Sequence, residues 1–381
     1  MEMLNAKERG EPYDVAAFER RLTQAVREVV EKQVQCGIDI VNDGEFSKVS
    51  WLSYFADRLA GTERRPMTPG GPNLRVGPIH ARDAREFPEW FEVAGNPGYS
   101  WVLRLPALRS HEERPISGLG MWTHCVGPLS YKGQLAVQID IENLKAAAEG
   151  LDVADVCLTS LGPATLEYFL ANDFYKTDEE LVHAIASAMR EEYKAITDAG
   201  IVLQLDEPAL LTNWQVFPDM SVEEFRRWAE IRVEALNDAL RGIPEDLVRI
   251  HCCWGSTHFP HKNDIPLERM LDILLRVNVE AYSLEAANPR HDHEWQVWRD
   301  IKLPEGKILI PGVVGHFTDF IEHPGLVADR LQRYANVAGK ENVIAGTDCG
   351  LGTRVGHPSL GWAKFSAMSE GARMASRSLW Y

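Results

Sequence analysis

The chain has 381 residues, of which 45% are hydrophobic and 25% charged, so it can bury a full core and is too apolar to be disordered. Forty Lys and Arg residues against 56 Asp and Glu residues give a net charge of −16, which makes nucleic acid an unfavourable partner. Six scattered cysteines exclude a disulfide framework and are expected to be reduced thiols or metal ligands.

The first thirteen residues are polar and charged, without the apolar core of a signal peptide. No run of about 18 apolar residues, the length needed to cross a bilayer, occurs in the chain. These features predict a cytoplasmic protein with no membrane partner.

Short β-branched runs alternate with stretches of helical period, which is typical of βα units around a parallel sheet. One strand is predicted early, and six follow residue 150: 37–43, 153–160, 201–206, 248–254, 279–285, 307–313 and 342–348. Helices are predicted between and after the later strands, several opened by Asp or Ser and closed by Gly: 178–199, 221–240, 266–277, 325–338 and 362–379.

Every predicted strand ends in or near a polar or reactive side chain, namely Glu45, Ser160, Asp206, Cys253, Glu285, His316 and Cys349. Reactive groups at strand carboxyl ends are typical of a (β/α)8 TIM barrel. A doubly wound open sheet is disfavoured because no G-x-G-x-x-G follows the first strand. The sequence therefore predicts one α/β TIM-barrel domain over residues 1–381, with an insertion at about 61–134 that contains a hairpin near 116–126.

His251 and Cys253 are two residues apart on a predicted strand, so their side chains point the same way, whereas Cys252 points to the opposite side and is predicted to pack. With Glu285 and Cys349 at other strand ends, they form a set of N, S and O donors that suits Zn²⁺. The spacing is not that of a zinc finger and favours a site at a barrel mouth. Taken singly, Cys252 and Cys253 are better explained as small buried hydrophobic residues, and His251 as a core histidine with satisfied hydrogen bonds; three strand ends acting together favour the metal site.

Five strings resemble the catalytic C-terminal barrel of cobalamin-independent methionine synthase. They are Asp-Gly-Glu-Phe at 43–46, Leu-Thr-Ser-Leu-Gly-Pro-Ala-Thr at 158–165, Leu-Asp-Glu-Pro-Ala-Leu at 205–210, His-Cys-Cys at 251–253 and Asp-Cys-Gly-Leu-Gly-Thr-Arg at 348–354. The similarity extends from about residue 18 to 379. It is nearest to the single-barrel relatives of that enzyme, a group that includes epoxyalkane:coenzyme M transferases.

The resemblance implies zinc as the cofactor, with His251, Cys253, Glu285 and Cys349 as its ligands. In this family zinc holds the acceptor thiol as a nucleophilic thiolate near neutral pH, and the glutamate ligand is readily displaced. The implied reaction is methyl transfer to homocysteine or a similar thiol, as in methionine biosynthesis.

The resemblance also implies roles for residues outside the metal set. The carboxylates that would hold the ammonium group of an amino-acid thiol are Glu45 and Asp206. His316 is the candidate proton donor to the leaving group, with His323 and His357 as weaker candidates. Ser160, with Thr159 and Gly162, is expected at the pocket floor, and Trp254 is expected to line the pocket.

The sequence departs from the family pattern at its start, because the usual first barrel strand and its Gly-Ser-Pro turn are absent. Either the hairpin near 116–126 replaces that strand, or the true start lies upstream. The folate-binding segment is also missing, so the methyl donor stays open among a folate, a corrinoid protein and a small methylated compound.

Two alternatives remain at this point. One is epoxide opening by a zinc-bound thiolate of coenzyme M, whose sulfonate requires arginines for binding. The arginines that keep this alternative open are Arg104, Arg290 and Arg354. The second alternative is a non-catalytic barrel in which zinc is structural. In that case removal of zinc is expected to unfold the protein.

Overall fold

The computed structural model describes residues 2–8, 11–48, 54–66, 80–94, 121–256, 259–352 and 355–381. The chain divides into two compact units. The first comprises Met1–Arg75, Arg114–Asp206 and Ala235–Val248, and the second comprises Val76–Glu113, Glu207–Glu234 and Arg249–Tyr381. The prediction of a single domain with an insertion at 61–134 stays a prediction.

Strands and helices alternate through most of the described chain. The strands are β1 Ile40–Asn42, β2 Leu59–Pro66, β3 Met121–Tyr131, β4 Asp155–Leu161, β5 Leu170–Asn172, β6 Val202–Asp206, β7 Val248–Cys252, β8 Ala281–Glu285, β9 Ile308–Val314 and β10 Gly346–Thr347. The α-helices are α1 Glu2–Glu8, α2 Val15–Gln35, α3 Tyr54–Arg58, α4 Ala81–Glu86, α5 Pro88–Ala94, α6 Gln134–Ala148, α7 Pro163–Tyr168, α8 Asp178–Asp198, α9 Ala209–Val216, α10 Val222–Leu240, α11 Leu271–Leu274, α12 Pro324–Ala338 and α13 Pro358–Trp380.

In the first unit, β1, β4 and β6 pair in parallel in that order. Helix α8 begins where the Thr177 hydroxyl accepts the N–H of Glu180 and buries a stripe of apolar residues. From that stripe the Tyr193 hydroxyl donates to the carbonyl of Leu161, at a distance of 2.6 Å, which ties the helix to the end of β4. The helix therefore fixes the end of a strand at which site residues are predicted.

A second sheet of the first unit consists of β2 paired antiparallel with β3, and β3 paired parallel with β5. The predicted hairpin at 116–126 lies partly outside the described residues, but β3 covers its second half from Met121. Beside this sheet, the buried Arg58 guanidinium contacts the carboxylates of Asp140, at 2.7 Å, and Glu192, at 3.1 Å. The two carboxylates offset the desolvation cost of burying the arginine.

In the second unit, β7, β8, β9 and β10 pair in parallel in that order. All five residues of β8 are buried, as expected for a parallel strand covered on both faces. The predicted strand 342–348 is interrupted. Residue Val343 makes an isolated bridge to Leu309, and pairing resumes only at Gly346–Thr347, where the register with β9 shifts.

The predicted helix at 266–277 is also shorter than expected. A 3-10 turn at Leu267–Arg269 precedes the single α-helical turn of α11. A buried carboxylate oxygen of Glu294 accepts the N–H of Leu267, at 2.8 Å, so a side chain fixes the geometry at this start. The alternation of parallel strands and helices nevertheless confirms the predicted α/β class.

Candidate functional site

Three soft donor side chains of the second unit meet at strand ends. His251 lies on β7, Cys253 directly follows it, and Cys349 follows β10. One donor atom of each lies within 4.8 Å of the other two. His251 and Cys253 share one side of the strand, whereas the Cys252 thiol donates to the carbonyl of Glu207 and is buried, as predicted for a packing residue. The structure thus brings together three of the four predicted metal ligands.

The two thiols have opposite pKa shifts. Their mutual hydrogen bond is the largest cause in both cases: it raises the pKa of Cys253, which burial raises further, and lowers that of Cys349. Burial opposes the decrease at Cys349, but His251 and His316 reinforce it, and the Ser256 hydroxyl donates to its sulfur at 3.1 Å. The pair therefore favours a thiolate at Cys349, the ionisation state that a metal ligand requires.

The His251 imidazole is oriented by a neighbouring strand. Its Nδ1 is hydrogen-bonded to the hydroxyl of Ser283 on β8, at 3.1 Å, and both side chains are buried. The two residues lie directly across from each other in the parallel register of β7 and β8. Such a contact restrains the plane of a ligand imidazole.

Glu285, the fourth predicted ligand, lies at the end of β8 but outside the group of three. One carboxylate oxygen accepts the N–H of Trp254, at 2.9 Å, and the other accepts the side-chain amide of Asn288, at 2.8 Å. Burial raises the pKa of Glu285, and its charge in turn raises the pKa of Cys253, so the carboxylate is close enough to interact with the thiol pair.

Trp254, predicted to line the pocket, is 1% exposed and directly follows Cys253 in the chain. Its ring stacks on His291, with centroids 3.6 Å apart, and its indole N–H donates to the carbonyl of Ile265. The His291 ring is hydrogen-bonded to Glu294, at 2.9 Å, and to Asp264, at 3.1 Å. These contacts hold the tryptophan in place next to Cys253, and its position lining a pocket stays a prediction.

Asp264 joins His291 to a second buried histidine, His261, at 2.7 Å. Burial disfavours the protonated form of His291, but its two carboxylate partners outweigh this effect and raise its pKa to about 9. Sequence analysis missed this charged cluster. Its signal is the repeated His-x-x-acid spacing of His261 with Asp264 and of His291 with Glu294.

His316 lies just beyond β9, is completely buried, and packs on the ring of Phe317. Val314 on β9 is the register partner of Thr347 on β10, so His316 and Cys349 each follow two residues beyond paired positions on adjacent strands. In agreement with this position, His316 contributes to the lowered pKa of Cys349. His323 and His357 are the weaker candidates for the proton donor. His323 caps the N-terminus of α12 and His357 caps that of α13.

The predicted ammonium-binding carboxylates belong to the first unit. Asp206 ends β6 and accepts the side-chain amide of Gln204, at 3.0 Å. Glu45 follows β1 in a left-handed turn, and its carboxylate lies 3.6 Å from the ammonium of Lys48. β1 and β6 run parallel to β4 on either side of it. Both carboxylates therefore lie at the carboxyl ends of these three strands.

Ser160, predicted at the pocket floor, is 1% exposed and lies on β4. Its hydroxyl donates to Glu192 at 2.7 Å, which is the carboxylate paired with Arg58. This position makes it part of the buried polar network of the first unit.

The arginines that favoured a sulfonate acceptor receive no support from the described residues. Arg290 donates to the carbonyl of Lys262 and stays exposed. Arg104 and Arg354 lie outside the described part of the chain.

Parallel strands that alternate with helices, with a His-Cys-Cys group at strand ends that could hold a metal ion, are typical of an α/β barrel enzyme. Residues 139–373 match the family model of the cobalamin-independent synthase catalytic domain, and the chain belongs to this family. The methionine synthase of Saccharolobus solfataricus is 24% identical over 365 residues, covering 95% of this chain and 86% of the relative. That of Sulfolobus acidocaldarius is 23% identical over 339 residues, covering 88% and 76%.

A solved structure has the same fold. The B12-independent methionine synthase from Shewanella sp. W3-18-1, in complex with selenomethionine, superposes with a TM-score of 0.69 at 21% identity. The match covers 94% of this chain and 88% of the other. The predicted TIM-barrel fold class and the predicted family are therefore both confirmed.

A corrinoid protein as methyl donor receives no support, because the family is cobalamin-independent. Among the described helices, each is too short or too polar to cross a bilayer.

Proposed function

We propose that this protein is a zinc-dependent methyltransferase whose acceptor is the thiol of homocysteine or a close analogue. The observation that carries the proposal is the meeting of His251, Cys253 and Cys349 at strand ends, with the pKa of Cys349 lowered towards the thiolate form. Its curated relatives, named methionine synthase, support the same reaction class.

The donor set fits zinc better than the other common divalent metals. One imidazole and two thiols are soft to borderline ligands, which suit Zn²⁺ and disfavour Mg²⁺ and Ca²⁺. We propose Glu285 as the fourth, exchangeable ligand, since its carboxylate acts on the same thiol pair. When bound, zinc would supply positive charge that favours the thiolate form of the acceptor.

The protein's own side chains would orient the substrate and move the proton. Glu45 and Asp206, at one edge of the first unit's parallel strands, have the charge to hold an ammonium group. His316 is buried close to Cys349 and would donate a proton to the leaving group once the methyl has moved. Burial of His316 keeps bulk water away from its imidazole.

We also infer that residues 1–381 act as one methionine-synthase-like domain in the cytoplasm. The absence of a disulfide framework among the six cysteines and the family match over residues 139–373 support this inference. Limited proteolysis of the zinc-loaded protein tests it: a single protected fragment is expected, and two stable fragments with separate unfolding transitions would contradict it.

The first experiment is zinc K-edge X-ray absorption on the purified protein, alone, with homocysteine, and with coenzyme M. A new sulfur neighbour with homocysteine alone is expected. A new sulfur neighbour only with coenzyme M would transfer the protein to the epoxide-opening group. If the zinc keeps the same coordinating atoms in the presence of either thiol, the zinc is structural and the proposal is overturned.

Substitutions separate the metal site from the acceptor site. Cys349→Ser should remove zinc and methyl transfer to homocysteine, whereas the matched variant Cys252→Ala should keep both, because its thiol lies on the other face of β7. Asp206→Asn should raise the KM for homocysteine at unchanged zinc content, with Asp155→Asn at the far end of β4 as control. Full zinc in Cys349→Ser, or unchanged kinetics in Asp206→Asn, would remove the assigned role.

A further inference from the structure

Helix α13 carries a lysine with no exposed surface. Lys364 is 0% exposed, and complete burial of a lysine is rare unless the charge is paired. Its ammonium donates to the carboxylate of Glu322, at 2.8 Å, and to the backbone carbonyl of Phe320. Both partners belong to the segment between β9 and α12.

The second carboxylate oxygen of Glu322 is hydrogen-bonded to the backbone at the start of the segment between β9 and α12. Glu322 accepts the N–H of Gly315 at 2.8 Å, and Gly315 directly precedes His316. A Cβ at Gly315 would lie 3.4 Å from this oxygen, so the backbone and the carboxylate are in close contact. Residues 315–322 therefore form a loop whose two ends are joined by one carboxylate.

The loop has a second attachment at its middle. The side chain of Asp319 accepts the N–H of Gly356, at 2.7 Å, in the turn before α13. The loop tip itself is exposed at Phe320, which is 83% exposed, so packing at the tip contributes little to its position. The polar contacts at the loop ends and at Asp319 therefore restrain the tip, in addition to the packing of His316 and Phe317 at the start of the loop.

We propose that Lys364 is a positioning residue for His316, acting through Glu322 and the N–H of Gly315 to hold the imidazole in place beside Cys349. The inference rests on the proposed function, in which His316 is the proton donor. A neutral side chain of the same length would leave Glu322 buried without its charge partner, and the carboxylate would turn away from Gly315. The imidazole would then lose its fixed direction.

The test uses the zinc-loaded full chain with Lys364→Met and, as matched control, Lys340→Met. Lys340 donates to the carbonyl of Leu379 at the other end of α13 and is exposed. We expect Lys364→Met to lower kcat about 10- to 100-fold, with zinc content and the KM for homocysteine within twofold of wild type, and Lys340→Met to leave all three unchanged. Unchanged kcat in Lys364→Met would overturn the proposal.

A double-mutant cycle separates positioning from general destabilisation. In a His316→Asn background, Lys364→Met should cause no further loss of kcat, because the group that it positions is gone. An equal fold-loss in both backgrounds would show a merely structural role. If Lys364→Met fails to fold, the pair Lys364→Met with Glu322→Gln leaves no unpaired buried charge and should fold with low kcat; wild-type kcat in that pair would contradict the inference.

Nitrogen-15 NMR of the histidine side chains keeps this inference distinct from the proposed function. We expect the His316 resonances to shift in Lys364→Met and to remain unchanged in Lys340→Met, whatever reaction the protein catalyses. Absence of methyl transfer in the wild type would refute the proposed function alone, whereas unshifted His316 resonances would refute the positioning role alone.

Discussion

At the scale of single residues, the candidate site is a set of polar contacts between neighbouring strands. His251 and Ser283 show this best, because they are register partners on β7 and β8 and share a 3.1 Å hydrogen bond. Within the part of the chain that the structure describes, the serine hydroxyl is hydrogen-bonded to His251 and to no other candidate ligand. Its contribution to metal binding can therefore be measured separately from that of the thiols.

We predict that Ser283→Ala weakens zinc binding about 10- to 100-fold, because the imidazole of His251 loses the partner that fixes its orientation. Competition with a chromophoric chelator measures the zinc Kd. The control is Ser369→Ala, a hydroxyl that is 8% exposed like that of Ser283 but lies on α13. Equal zinc affinity in wild type and Ser283→Ala would show that the contact plays no part in orienting the ligand.

At the scale of elements, helices α12 and α13 pack at a distance that one glycine permits. A Cβ at Gly371 would lie 2.4 Å from the Cβ of Val327 and 2.6 Å from the carbonyl oxygen of Pro324. Neither neighbour is the flexible end of a side chain. Helix α13 also carries Lys364, whose ammonium contacts Phe320 and Glu322 in the loop 315–322.

Gly371→Ala should destabilise the protein by about 1–3 kcal/mol, because the two helices must move apart. In the same helix, Gly361→Ala meets only ordinary contacts at 3.6 and 3.8 Å and should be neutral or stabilising by up to about 1 kcal/mol. Urea unfolding of both variants measures the difference. Equal stability of the two variants would mean that the helices adjust without cost.

Periodicity in the sequence predicts most of these elements but not their length. It finds β8 and β9 to within two residues, because continuous apolar runs mark buried parallel strands. It misses α2, although buried Leu22, Val26 and Val30 follow helical spacing. It overestimates the strand before Cys349, where the register shift at Gly346 depends on contacts with β9 that no local pattern encodes.

At the scale of the whole molecule, local sequence predicts some parts of the site and misses those that depend on contacts between distant residues. The thiol and imidazole group follows from strand alternation and from the meeting of parallel strand ends, both of which can be read from local sequence. The Asp264–His291 contact joins loops 27 residues apart, and the Lys364–Glu322 contact spans 42 residues. Such partners depend on loop conformation, which composition and periodicity do not specify.

The raised pKa of His291 in the buried histidine cluster leads us to expect that the stability of the protein depends on pH. Burial opposes the charge on His291, but Asp264 and Glu294 outweigh it and raise its pKa from 6.5 to about 9. A raised pKa in the folded state means that folding favours the protonated form. The resulting stabilisation is complete below pH 6.5 and is lost as the pH rises through about 9.

We therefore predict that the free energy of unfolding falls between pH 6.5 and pH 10 by an amount on the order of 3 kcal/mol that His291→Gln abolishes. Urea unfolding at each pH, on wild type and variant at the same zinc content, measures it, since other titrating groups then contribute equally to both. The variant should be less stable than wild type near pH 6.5 and should approach it near pH 10. Parallel curves at all pH values would show that His291 does not carry the charge in the folded protein.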